Sequence, residues 1–209
     1  MKQLTVHYCG WGEDWHLGRL ADDGSALLFE YSPEALVQGL ELSPLRLKLR
    51  APAYGDFPAH LHRLPGLVAD SLPDGWGLLL MDRLFRQQGL QHPGPLDRLA
   101  FIGERAMGAL RFVPAREPDA LQPDWGLLAL AEESARALAG DAGAALRELA
   151  LTGGSPQGAR PKALVQFDVA TGQVSTHPDA PGAPWLVKFP AQGEHKEVCA
   201  IEQIYAELA

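Results

Sequence analysis

Apolar and polar residues alternate along the first fifty positions of the chain and then change period. Leu4–Tyr8, Trp15–Leu20 and Ala26–Phe29 are short, partly alternating runs separated by the turn clusters Gly10-Trp11-Gly12 and Asp22-Asp23-Gly24. That pattern predicts three strands, and Asp23-Gly24 predicts a two-residue hairpin turn between the last two. Ser32-Pro33-Glu34 predicts a short helix, with proline at its first helical position. From Pro44 to Arg50, Leu45, Leu47 and Leu49 alternate with Arg46, Lys48 and Arg50, the pattern of a half-buried strand whose register is firm because a slip would bury three cations.

From Leu64 the spacing turns helical. Leu67, Val68 and Leu72 lead to Pro73-Asp74-Gly75, where Asp74 is a candidate cap, and Leu78, Leu79, Met81 and Phe85 carry a helix to Gly89. A short helix over Leu96–Ile102 and a strand over Gly108–Val113 follow, ending at Pro114. Arg116–Pro123, with two prolines and alternating charge, reads as the best domain boundary. Helices are predicted over Trp125–Leu138 and Ala142–Leu151, then strand, turn and strand, with a final helix from about Lys196. The fold class expected is α+β: a small β-rich subdomain over 1–115, a helical linker region over 116–151, and antiparallel strands with one helix over 152–209.

Composition narrows the function classes. The 209 residues are 46% hydrophobic and 21% charged, which is globular and excludes disorder of the whole chain. The formal charge of -8 argues against direct nucleic-acid binding, because phosphate binding is largely electrostatic. The N-terminus lacks the apolar core of a signal peptide, and no apolar run approaches the ~20 residues that span a bilayer. Cys9 and Cys199 lie at opposite ends, which suggests neither a disulfide framework nor a cysteine metal site. A cytoplasmic protein without membrane contact is the expectation.

The stretch Thr152-Gly153-Gly154-Ser155-Pro156-Gln157-Gly158-Ala159-Arg160-Pro161-Lys162 carries the densest chemical signal. Glycines let backbone amides wrap an anion, and Arg160 and Lys162 add positive charge to the same place. The plain alternative is a flexible surface loop; a Walker A loop is excluded, because no Gly-Lys-Ser/Thr follows at the required spacing. Downstream, Trp185-Leu186-Val187-Lys188-Phe189-Pro190 sets one lysine in an apolar strand, where an ammonium needs either an anionic partner or an edge from which to reach water. Glu202 follows in the final helix. Glycine-rich loop, strand lysine and helix glutamate come in the order that protein-kinase N-lobes use for nucleotide phosphates.

Several blocks resemble the HipA family, the serine/threonine-kinase toxins of bacterial toxin–antitoxin modules. They are Leu64-Pro65-Gly66-Leu67-Val68-Ala69-Asp70-Ser71-Leu72-Pro73-Asp74-Gly75-Trp76-Gly77, Ala100-Phe101-Ile102-Gly103, Met107-Gly108-Ala109-Leu110, the loop from Gly153 to Lys162, and Trp185-Leu186-Val187-Lys188-Phe189. The resemblance implies that 152–209 begins a kinase-like domain. It also implies ATP with Mg²⁺ as cofactors, phosphorylation of protein serine or threonine, and a DNA-binding, HipB-like antitoxin as partner. Some family members act on an aminoacyl-tRNA synthetase, which makes such an enzyme one implied substrate. By position, Ser155 matches the serine that family members autophosphorylate and Lys188 matches the ATP lysine. Glu202 is the better match to the helix glutamate, with Glu197 as its rival. Gly154, Gly158, Ala159, Arg160 and Lys162 complete the implied nucleotide site.

A kinase also needs a catalytic aspartate and a metal-binding aspartate after the lysine. No aspartate follows Lys188, so neither a catalytic residue nor a metal ligand is assigned to this chain. The expectation is therefore the N-terminal part of a HipA-like kinase with its catalytic lobe absent, inactive alone. The competing reading is a non-catalytic module in which residues 1–115 bind a partner or regulate a separate kinase chain. Lesser signals are His60-x-His62 as a two-imidazole pair on a strand face, Trp11, Trp15 and Trp76 as an aromatic surface or as packing, and Asp70, Asp74 and Asp82 as an acidic site or as caps.

Overall fold

The structure is a computed structural model that describes residues 2–115, 124–141, 146–153, 156–191 and 193–209. In chain order the strands are β1 (Lys2–Tyr8), β2 (Trp15–Asp22), β3 (Leu27–Tyr31), β4 (Leu110–Val113), β5 (Lys162–Asp168), β6 (Gln173–Ser175) and β7 (Ala183–Lys188). The helices are α1 (Pro33–Gln38), α2 (Gly66–Ala69), α3 (Gly75–Gln87), α4 (Pro95–Ile102), α5 (Leu127–Leu138), α6 (Leu146–Gly153) and α7 (Val198–Leu208). Two antiparallel sheets with segregated helices make an α+β fold. Among the described residues no helix is long and apolar enough to cross a membrane.

Backbone contacts divide the chain into two compact units, residues 1–73 with 88–121, and residues 74–87 with 122–209. The first is built on a sheet of order β3-β2-β1-β4. Alternation along β1 buries Leu4, Val6 and Tyr8, which meet Leu17 and Leu20 of β2, Phe29 of β3 and Phe112 of β4 in one core. Ser32 caps α1 by accepting the Ala35 amide at 2.9 Å, with Pro33 in the first turn. Asp97 accepts the Gly94 amide at 2.8 Å at the start of α4 and pairs with Lys2 at 2.6 Å, tying that helix to β1.

Three local expectations need correction in this unit. The β2–β3 hairpin closes with Asp22 opposite Leu27, so its loop has four residues rather than two. Asp23 Oδ1 accepts the Ser25 amide at 2.8 Å and the Ala26 amide at 3.0 Å, and this side-chain turn replaces the tight backbone one. Pro44–Arg50 forms turns and no strand. The outer edge of β3 is taken instead by Tyr54, whose amide and carbonyl exchange hydrogen bonds of 2.7 and 2.9 Å with Phe29. The carbonyls of Leu47 and Lys48 accept the hydroxyls of Tyr31 at 2.6 Å and Tyr54 at 2.7 Å, so Leu47 is buried while Leu45 stays 88% exposed. His60 lies in a single 3₁₀ turn and His62 in a left-handed conformation, so they share no strand face.

In the second unit α3 and α5 pack on α6, and α6 packs on β5. β5 is the middle strand of a sheet of order β6-β5-β7. Trp76, Leu80, Leu84, Leu130, Leu149, Ala163 and Val165 are buried here. Of the tryptophans considered as an aromatic surface, Trp15 and Trp76 are core residues and Trp11 is 91% exposed. The sequence boundary at 116–123 and the start of the second linker helix at 142–145 lie outside the described residues.

Candidate functional site

The charged cluster of the second unit is assembled by the β5–β7 ladder. Lys162, the first residue of β5, stands directly opposite Lys188, the last residue of β7. Side chains opposite each other in an antiparallel pair share one face, so two ammonium groups come together at this end of the sheet. The ladder continues one step further, with the Phe189 amide donating to the Pro161 carbonyl at 2.8 Å.

The α7 helix supplies the counter-charge. Cys199 and Glu202 are three residues apart and therefore lie on one helix face. Glu202 Oε1 accepts from Lys188 Nζ, and its Oε2 accepts from Arg160 at 2.9 Å. The Arg160 guanidinium also reaches Glu194 at 3.2 Å, the Phe189 carbonyl at 3.2 Å and Cys199 Sγ at 3.0 Å. Glu197, the rival glutamate, lies five residues before Glu202 and so on another face. It precedes α7, and its carboxylate lies 3.8 Å from His195. Lys188 is on an edge strand of the described sheet, and the edge does not leave it solvated alone, because Glu202 reaches across to it.

Lys162 is in a different state. It is buried, and its Nζ donates to the Gln157 carbonyl at the neck of the loop. Burial pushes its ammonium below the ordinary lysine range; Asp74 opposes that shift, while Lys188 and Arg160 reinforce it. The loop above is shaped around this side chain. Gly158 has a φ of +107°, and a Cβ there would collide with Lys162 Nζ. Ala159 is exposed beside it. Gly154 and Ser155 lie outside the described residues, so the structure positions Gly158, Ala159, Arg160, Lys162, Lys188 and Glu202 of the residues named from sequence.

Two parts of this arrangement have no counterpart in the sequence reading. One is the depth of Lys162, which polarity pattern alone assigns to the loop rather than to the core. The other is the start of α3. Asp74 accepts the Gly158 amide, the Trp76 amide donates to the Gly158 carbonyl at 3.2 Å, and the Trp76 indole donates to the Lys162 carbonyl at 3.1 Å. Asp74 was a candidate for capping its own helix; its carboxylate reaches the loop. Asp74 and the loop fall in separate HipA-like blocks, and no local pattern joins them.

The family model of the HipA N-terminal domain matches residues 11–113. That span holds the whole β2–β3 hairpin, α1, α2, α3, α4 and β4. Those residues are a HipA N-terminal domain. With the family comes the toxin–antitoxin class, which is consistent with an antitoxin as partner. No curated protein matches the chain. The α3 helix belongs to the matched HipA span by sequence and to the second unit by packing.

The donor set suits a polyphosphate. Arg160, Lys162 and Lys188 converge at the base of a glycine loop, and Glu202 fixes two of them by charge-assisted bonds. Among the described residues no group of three or more histidine, cysteine, aspartate or glutamate side chains could hold a metal ion.

Proposed function

We propose that this chain contributes the nucleotide-phosphate site of a serine/threonine protein kinase. ATP is the ligand, with Mg²⁺ supplied through residues other than those gathered here. Lys188 pairs with the nucleotide phosphates, Glu202 holds Lys188, and amides of the 153–162 loop other than that of Gly158, which Asp74 occupies, cradle the phosphate oxygens. Ser155 in that loop is the candidate autophosphorylation site; roughly two added negative charges there would oppose the incoming phosphates or recruit Arg160 and Lys162. A DNA-binding antitoxin is the proposed partner. A protein hydroxyl is the proposed acceptor, an aminoacyl-tRNA synthetase being one candidate.

The Lys188–Glu202 pair carries this reading. A structural ion pair on an edge strand needs no glycine loop and no second and third cation beside it, whereas a phosphate site uses such backbone amides and cations together. Supporting it, α7 is exposed from Cys199 onward, with Ile201, Ile204, Tyr205 and Leu208 open, and Trp185 and Leu186 of β7 are open too. An apolar helix and strand in that condition suit a unit that works against a further lobe.

Calorimetry with ATP, with and without Mg²⁺ and with a matching C-terminal lobe supplied in trans, tests the proposal. Wild-type binding that falls at least about tenfold in Lys188→Ala, the loss of one charge-assisted contact, is the expected result. Absence of binding under every condition would overturn it. The result would then favour a partner-binding module, for which Trp11, Val37 and Leu45 of the first unit, each at least 88% exposed, are the anchors to examine.

A further inference from the structure

A glycine loop that is to hold phosphate must be ordered before the ligand arrives, because ordering glycine costs more backbone entropy than ordering any other residue. In this chain the order is imposed from both sides of Gly158. Its amide is taken by Asp74 and its carbonyl by the Trp76 amide, while Lys162 holds the neighbouring Gln157 carbonyl. Contact is close enough that a Cβ at Gly75 would stand 2.6 Å from Ala159 Cα. The two segments are 84 positions apart, so the loop cannot acquire this support from its own sequence neighbours.

We propose that Asp74 is a positioning residue for the anion loop, acting through the Gly158 amide and never touching the nucleotide. The inference rests on the nucleotide reading above and adds a residue from the HipA-matched part of the chain to it. Two other roles for Asp74 make different predictions. As a carboxylate at the start of α3 it would only complement the helix dipole, with no effect on the loop. As an anion beside Lys162 it would repel phosphate, and its removal would tighten binding.

The test uses the full 209-residue chain and three proteins: wild type, Asp74→Ala and Asp74→Asn. ATP affinity is measured by calorimetry, and the Gly158 amide is followed by its NMR shift and hydrogen exchange in the absence of nucleotide. Asp74→Ala is expected to speed exchange at Gly158 and weaken ATP binding about tenfold, with Asp74→Asn, which keeps an acceptor oxygen, within about threefold of wild type. Unchanged exchange at Gly158 in Asp74→Ala would overturn the proposal. So would unchanged or tighter ATP binding in that variant, or an equal loss in both variants. A wild-type chain that binds no ATP even with a matching C-terminal lobe supplied in trans would refute the nucleotide reading instead, and the exchange measurement would still decide whether Asp74 holds the loop.

Discussion

Lys162 and Lys188 face each other across one ladder step, yet they carry opposite physical burdens. Lys188 is half-exposed and answered by Glu202, whereas Lys162 is buried with a carbonyl oxygen as its bonded partner. A buried cation without a bonded carboxylate is destabilising, and under the proposed nucleotide role that cost serves ligand binding. Replacing Lys162 by Met keeps the unbranched stem and removes the charge; Gln157 is exposed, so its carbonyl turns to water. Lys162→Met is expected to raise the denaturation midpoint while weakening ATP binding, a split measured by urea unfolding and calorimetry on the same samples. The pH dependence has a definite sign. The folded-state value lies below 10.5, so between the two values the unfolded chain binds more protons and stability rises with pH. Urea midpoints measured as pH approaches 10.5 from below should show a rising contribution in wild type that is missing in Lys162→Met.

Elements were legible from sequence where periodicity and a partner agreed. β1, β2, β3, α1, α4 and α7 arise from alternation, caps and helical spacing, and each finds a neighbour to bury its apolar side except α7. Pro44–Arg50 had the alternation and lacked the partner, because Tyr54 already occupies the free edge of β3. Strand patterning states what a segment can do; an unpaired ladder edge decides whether it does so. The α3 helix shows the same limit at larger range. Its apolar stripe was readable, and the surface it packs against, α6, was not. Leu80 is fully buried on that helix, and Leu80→Ala is expected to cost about 2–5 kcal/mol in chemical denaturation, the range for a leucine cavity. A surface variant on the same helix, such as Gln87→Ala, should shift stability by less than about 0.5 kcal/mol.

At the scale of the whole chain, the second unit is discontinuous: it takes residues 74–87 from inside the first hundred and the rest from 122 onward. A fragment of residues 122–209 would therefore leave α6 without its largest helical neighbour. Such a fragment is expected to lack a cooperative unfolding transition and near-ultraviolet dichroism, and a version with 74–87 joined ahead of residue 122 is expected to recover both. What the sequence determined by itself was local or compositional: the α+β class, the glycine loop with its cations, the lysine strand, the glutamate helix and the likeness to the HipA family. Each depends on spacing within a few residues or on a recognisable block. What only the tertiary structure decided was which distant groups meet: Lys162 opposite Lys188, Arg160 sharing Glu202, and Asp74 on the amide of Gly158. The reason is that burial and pairing are properties of surfaces brought together by the whole chain. A carboxylate 84 residues from its amide leaves no trace in the local pattern.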